Sequence, residues 1–294
     1  MAQPLPTKPI KILMLHGFTQ SGTLFRAKTR ALEKNLIKAF PAGITLHYAT
    51  APVRLFKSDI PNWDTVNDPN APPPEINGKD EETGVFGWWR RKNSTDPNLP
   101  EPYVYEGIEA GLTHVAEVLK QEGPFDGVLG FSQGGALAGM VASLLEPGRR
   151  EAFEKAQANG GMRYPEGFEE DSGYVIDAIH PPLKFAVSYS GFGTPNPLYQ
   201  GFYNPKIKTP MLHFLGSVDT VVEEKRSLRL VEACEGGRGK NGERVVYHPG
   251  GHFLPSSQRQ YVGALVAFIR EVMVEAEGGG AQKEEKAEDM DVPF

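Results

Sequence analysis

Short apolar runs alternate along this chain with longer stretches in which apolar residues recur at helical spacing. That alternation predicts an α/β fold, with a mostly parallel central sheet and helices on both faces. Ile10–Leu15 reads as a first buried strand, and Leu24, Ala27, Ala31, Leu32 and Leu36 then mark a helix opened by Ser21-Gly22. Ile44–Ala49 is a second strand. Further on, Val104, Ile108, Leu112, Val115 and Leu119 define a helix face, Phe125–Phe131 a strand, and Gln133–Leu145 a helix rich in small residues. Phe185–Ser190, Met211–Leu215 and Val245–His248 supply further strands, with helices around Glu223–Cys234 and Ser257–Val274.

Two stretches break the rhythm. Residues 56–102 carry Pro72-Pro73-Pro74 and an acidic run, then Phe86, Trp88 and Trp89. Residues 147–182 are charged and contain glycine and proline. Long irregular segments within a compact domain are usually functional loops, so both are expected to be insertions that form a cap or pocket wall. From Gly278 the chain has almost no apolar content, and burial there cannot offset the entropy of ordering it. The pattern thus predicts one domain over residues 8–276 and an acidic, disordered tail over 277–294.

Composition narrows the function classes. The formal charge of −6 argues against a nucleic-acid partner, which would need a basic surface. The single cysteine, Cys234, allows neither an internal disulfide nor a cysteine-built zinc site, and reads as a small half-buried hydrophobe. No stretch approaches a membrane span and no secretory signal is apparent, so the expected compartment is the cytosol.

Gly130-Phe131-Ser132-Gln133-Gly134-Gly135 lies between a predicted strand and a predicted helix, the setting of a G-x-S-x-G nucleophile elbow. Small residues are needed there because side chains two positions either side of the serine would strike neighbouring backbone. Leu15-His16-Gly17-Phe18 ends the first strand, where an early loop would present an N–H to a developing oxyanion. Phe18 and Gln133 are the expected backbone donors. Asp219 follows the strand Met211–Leu215, and His252 follows two glycines after Val245–His248. The order serine, aspartate, histidine is that of the elbow-bearing hydrolases. His248 competes as base, but it sits at a strand end where packing would fix it. His16, His47, His114, His180 and His213 read as structural. All these elements fall at C-terminal strand ends, the edge where open α/β sheets form sites.

Leu15-His16-Gly17-Phe18, Trp88-Trp89, Gly123-Pro124-Phe125-Asp126-Gly127, Gly130–Gly135 and Gly251-His252 together resemble the FSH family of serine hydrolases. That family includes fungal hydrolases and an ovarian-cancer-associated human relative. The elbow alone is equally similar to acyl-protein thioesterases; the Phe-Asp-Gly run and the tryptophan pair favour the FSH family. The resemblance implies an α/β-hydrolase fold, a triad of Ser132, Asp219 and His252, and cleavage of carboxylic esters or thioesters without metal or cofactor. It also implies, as an alternative, release of a polyketide or other acyl chain from a carrier protein. Arg90, Arg91 and Lys92 could dock such an acyl carrier domain, although a solvated loop is the plainer reading. Trp63, Phe86, Trp88 and Trp89 are candidates for an apolar acyl pocket, with core packing equally compatible. A binding protein that kept the fold and lost the chemistry is the remaining alternative.

Overall fold

The computed structural model describes residues 5–60, 84–101, 103–171, 176–236 and 244–288. Six strands form one parallel sheet: β1 (Ile10–Leu15), β2 (Ile44–Ala49), β3 (Gly127–Phe131), β4 (Phe185–Tyr189), β5 (Met211–Gly216) and β6 (Val245–His248). Their order is β6-β5-β4-β3-β1-β2. The chain therefore proceeds outward from β1 to one edge, returns, and proceeds from β3 to the other. The seam between β1 and β3 is the topological switch point, where diverging loops leave a crevice. In register, Met14 pairs with Leu129 and Leu15 with Gly130, so the two strands end side by side.

Helices α1 (Gly22–Ala39), α2 (Ile108–Glu122), α3 (Gln133–Leu144), α4 (Arg149–Gln157), α5 (Glu224–Glu232) and α6 (Arg259–Glu288) surround the sheet. Strand side chains alternate between faces. Ile10, Ile12 and Met14 join Phe25, Leu32 and Leu36 of α1 and Leu265, Phe268 and Ile269 of α6 in one core. Leu13, Leu15 and Val128 join Leu112 and Val115 of α2 and Leu137 and Val141 of α3 in the other. All twelve residues of α3 are buried, which explains its glycines and alanines: this helix packs close to the sheet beneath surrounding structure. The fold is that of the α/β-hydrolases.

The two breaks in rhythm are more ordered than the sequence suggests. Val53–Arg54 pairs with Phe86–Gly87, and Arg90–Asn93 with Tyr103–Glu106, both antiparallel. The second break contains α4 and an antiparallel pair, Glu169–Asp171 with Ile176–Ala178. Helix α6 crosses the expected domain end at 276 and runs to Glu288. The residues there, Ala281, Gln282, Lys283, Glu284, Glu285 and Lys286, are good helix formers. At the other end, the Thr7 N–H and Oγ1–H donate to the Glu277 carboxylate at 3.1 and 3.0 Å, clasping the segment before β1 to α6. Among the described residues, no helix is long and apolar enough to cross a membrane.

Candidate active site

The turn between β3 and α3 carries Ser132 at φ 54°, ψ −115°, a region that residues with a Cβ avoid. Its neighbours make the turn possible. A Cβ on Gly130 would lie 1.9 Å from the Gly134 carbonyl oxygen, and one on Gly134 would lie 2.1 Å from that of Leu15. The Ser132 N–H donates to the Tyr189 carbonyl at 2.8 Å, tying the elbow to β4. Helix α3 starts directly after the serine, so its positive end and its unbonded first N–H groups lie beside the hydroxyl.

Two loops from neighbouring strands meet this hydroxyl. After β5, Asp219 accepts the N–H groups of Val221 and Val222 through Oδ1, each at 2.9 Å. After β6, Gly250-Gly251 lets the chain pass close to Gly216, where a Cβ would lie 2.5 Å from the Gly251 oxygen. His252 stands at the end of that passage. Its Nδ1 is 2.7 Å from Asp219 Oδ2 and its Nε2 is 2.9 Å from Ser132 Oγ. An ionised carboxylate only accepts, so Nδ1 carries the proton and Nε2 is free to accept from the serine hydroxyl. Burial opposes the charge on Asp219, but the Val222 N–H, the His252 imidazole and the Val221 N–H outweigh it and hold the carboxyl below its ordinary value. His248 is elsewhere occupied: it is buried, its Nδ1 accepts the Gly250 N–H at 3.3 Å, and its ring packs on Phe253 and Tyr261.

The loop after β1 is fixed by His16, read from the sequence as merely structural. Its Nδ1–H donates to the Gly17 carbonyl at 2.7 Å and its Nε2 accepts the Ala51 N–H at 2.9 Å. Burial pushes this imidazole down to about 4, so it stays neutral and can do both. The Gly17 carbonyl belongs to the same planar peptide as the Phe18 N–H, so His16 orients that N–H.

Gln133 does more than supply an N–H. Its Oε1 accepts the Trp88 N–H at 2.8 Å and its Nε2 donates to the Trp89 carbonyl at 2.9 Å. The Trp88 indole N–H donates to the His16 carbonyl at 2.9 Å. Residues 86–89 are thus bonded to both the elbow and the first loop. No local pattern in the sequence signals these contacts, since each spans more than forty residues.

A cavity of about 340 Å³ opens at Ser132, lined among others by Phe18, Trp89, Gln133, Phe192, Val221 and Arg226. This revises the pocket expected from the sequence. Of the three of its aromatics among the described residues, Trp89 alone lines the cavity; it is stacked on Tyr105 at 4.9 Å between ring centres. Trp88 is wholly buried in the core, where its indole finds the acceptor it needs, and Phe86 packs against the same core. Trp63 lies outside the described residues. Among the described residues, none of the 147–182 insertion lines the cavity. The three cations beside the tryptophans are mostly engaged: Arg90 pairs with Asp59 at 3.1 Å and Lys92 with Glu106 at 2.8 Å, while Arg91 lies over Tyr103 and lines the cavity. Cys234 is buried and its thiol is pushed up to about 12, chiefly by desolvation, so it is chemically inert.

The family described as serine hydrolase (FSH1) matches residues 6–263. A Schizosaccharomyces pombe protein called dihydrofolate reductase is 33% identical over 249 residues, covering 85% of this chain; the chain spans only 44% of that longer protein. Family of serine hydrolases 3 from Saccharomyces cerevisiae is 31% identical over 285 residues, covering 96% of this chain and 92% of that protein. Esterase OVCA2 from Danio rerio is 31% identical over 264 residues, covering 86% and 94% respectively. With an elbow serine at the switch point and this breadth of match, the chain belongs to the FSH1 family of serine hydrolases.

Proposed function

We propose that this protein cleaves carboxylic esters or thioesters with Ser132 as nucleophile, His252 as general base and Asp219 as the group that orients and charges the histidine. One observation carries the reading: the unbroken pair of hydrogen bonds from Asp219 through His252 to Ser132, at 2.7 and 2.9 Å. His252 Nε2 takes the hydroxyl proton as Oγ attacks the carbonyl carbon, and the imidazolium that forms faces the Asp219 carboxylate. The Phe18 and Gln133 N–H groups receive the oxyanion. His252 then gives its proton to the leaving alcohol or thiol, and an acyl-Ser132 ester remains. Water attacks this ester with His252 again as base, and the acid leaves as Ser132 regains its proton.

A fluorophosphonate probe tests the reading, because it reacts only with an activated serine. Wild-type protein should be labelled at Ser132, and labelling should vanish in Ser132→Ala. Labelling that persists in that variant would assign the chemistry elsewhere.

A further inference from the structure

One charged side chain at the cavity has a distant ion-pair partner but buried N–H groups with no hydrogen-bond acceptor. Arg226 lies on α5, and its side chain is 12% exposed. Its Nε and Nη2 atoms are buried and have no hydrogen-bond acceptor. The nearest carboxylate oxygen, Glu101 Oε1, is 3.9 Å from Nε, beyond hydrogen-bond reach. Glu101 is already bonded, to Arg229 Nη1 and Thr194 Oγ1, each at 2.9 Å. The guanidinium is held in place by rings, with Phe192 at 4.3 Å and Tyr103 at 5.7 Å from its carbon. Such stacking fixes the plane of the group and supplies no acceptor for its N–H donors. Around it, among the described residues, Arg90, Arg91, Arg226 and Arg229 face Asp59, Glu101 and an exposed Glu223 that is already paired with Lys225. This local excess of positive charge sits in a chain of net charge −6.

Buried donors without acceptors are rare and call for an explanation. We infer that the substrate carries an anionic group that binds the Arg226 guanidinium in the cavity that also holds Ser132. The inference rests on the hydrolase reading and narrows its substrate class. A cavity of about 340 Å³ is at the small end for ligand sites, ~300–1,000 Å³. The anion and the scissile carbonyl therefore belong to one short molecule. A carboxylate on the acyl chain, as in a monoester of a dicarboxylic acid, supplies the required chemistry. An anion on the leaving group does so equally, and the experiment separates the two.

Three phenyl esters serve: neutral phenyl pentanoate, monophenyl glutarate with its charge on the acyl side, and 4-carboxyphenyl butyrate with its charge on the leaving group. At least one charged ester should exceed the neutral one in kcat/KM by about 10- to 100-fold, the range of a charge-assisted hydrogen bond. Which one does so assigns the side on which the anion sits. The preference should shrink in 0.5 M NaCl and collapse in Arg226→Met. Equal or better turnover of the neutral ester by the wild type would overturn the inference without any variant. Calorimetry on Ser132→Ala with glutarate and with 4-hydroxybenzoate gives an independent readout that needs no catalysis. At least one of these anions should bind, and adding Arg226→Met should weaken it by at least about tenfold. Absent binding, or binding indifferent to Arg226, counts against the anion site. Arg226-dependent binding by a protein that cleaves none of the esters would reject the hydrolase reading and leave the anion site standing.

Discussion

Residues 84–101 and residues 149–178 interrupt the strand–helix rhythm alike, yet they attach to the molecule in different ways. The first stretch is bonded to the serine turn through both ends of the Gln133 amide and to the β1 loop through the Trp88 indole. It also contributes Trp89, Arg91 and Asn93 to the cavity. The second is anchored away from the serine. Phe153 packs on Phe202 and Tyr164, and the buried Arg149 bonds to Glu146 at 2.6 Å. A loop becomes part of a site when buried polar groups of the site need its backbone, and among the described residues the first stretch alone meets that condition.

The largest expected effect tests whether the serine turn is the reacting centre at all. Ser132→Ala should lower kcat on phenyl or p-nitrophenyl esters by about 10⁶-fold; wild-type turnover in that variant would remove the basis of the comparison. Asp219→Asn, which presents the wrong tautomer partner to His252, should lower kcat by about 10⁴-fold with the fold intact by circular dichroism.

Gln133→Ala sharpens the contrast directly. It strands the buried Trp88 N–H and Trp89 carbonyl, at about 1–3 kcal/mol each. The melting temperature and kcat/KM should therefore fall together, kcat/KM by about 10- to 100-fold. A change in melting temperature alone would mean that the stretch packs there without shaping the site.

The first loop also imposes a pH dependence. The folded value of His16, about 4, lies below the unfolded value of 6.5, so the unfolded chain takes up the proton first. Stability from this group is full above pH 6.5 and is lost as pH falls toward 4, by about 3 kcal/mol. Denaturant titrations of wild type and His16→Gln between pH 7 and 4 should differ in slope by that order; identical slopes would place the acid sensitivity elsewhere. The smallest effect belongs to the second stretch. Arg150→Ala breaks a partly exposed pair with Glu169 and should cost no more than about 1 kcal/mol, with kcat/KM unaltered. A large loss of activity would make the two stretches equivalent.

The elements with local signatures were readable from the chain. Apolar runs locate all six strands of the sheet, and the glycines at 130 and 134 mark a turn that tolerates nothing larger. Ser132, Asp219 and His252 follow from strand-end position and chain order, and the hydrogen bonds bring those three side chains together. What was missed depends on partners distant in sequence. Trp88 and Trp89 look equivalent in the chain and are buried in the same core, but Trp89 also lines the cavity and Trp88 does not. The side-chain clamp of Gln133 and the burial of Arg226 without a hydrogen-bond acceptor are likewise tertiary facts, for an arginine on an amphipathic helix ordinarily reads as solvated. Helix α4 was hidden because Arg149-Arg150-Glu151 lacks a continuous apolar stripe, and only Ala152 and Phe153 anchor it beside Arg149.

The clasp of Thr7 and Lys8 on Glu277 has a consequence for how this fold can be joined to others. It makes entry to and exit from the sheet near neighbours, so a foreign polypeptide could host the whole unit as an insert without stretching it. By the same geometry, a short linker could join residue 7 to residue 277 and new termini could be cut at a surface turn, leaving the strand order as it is.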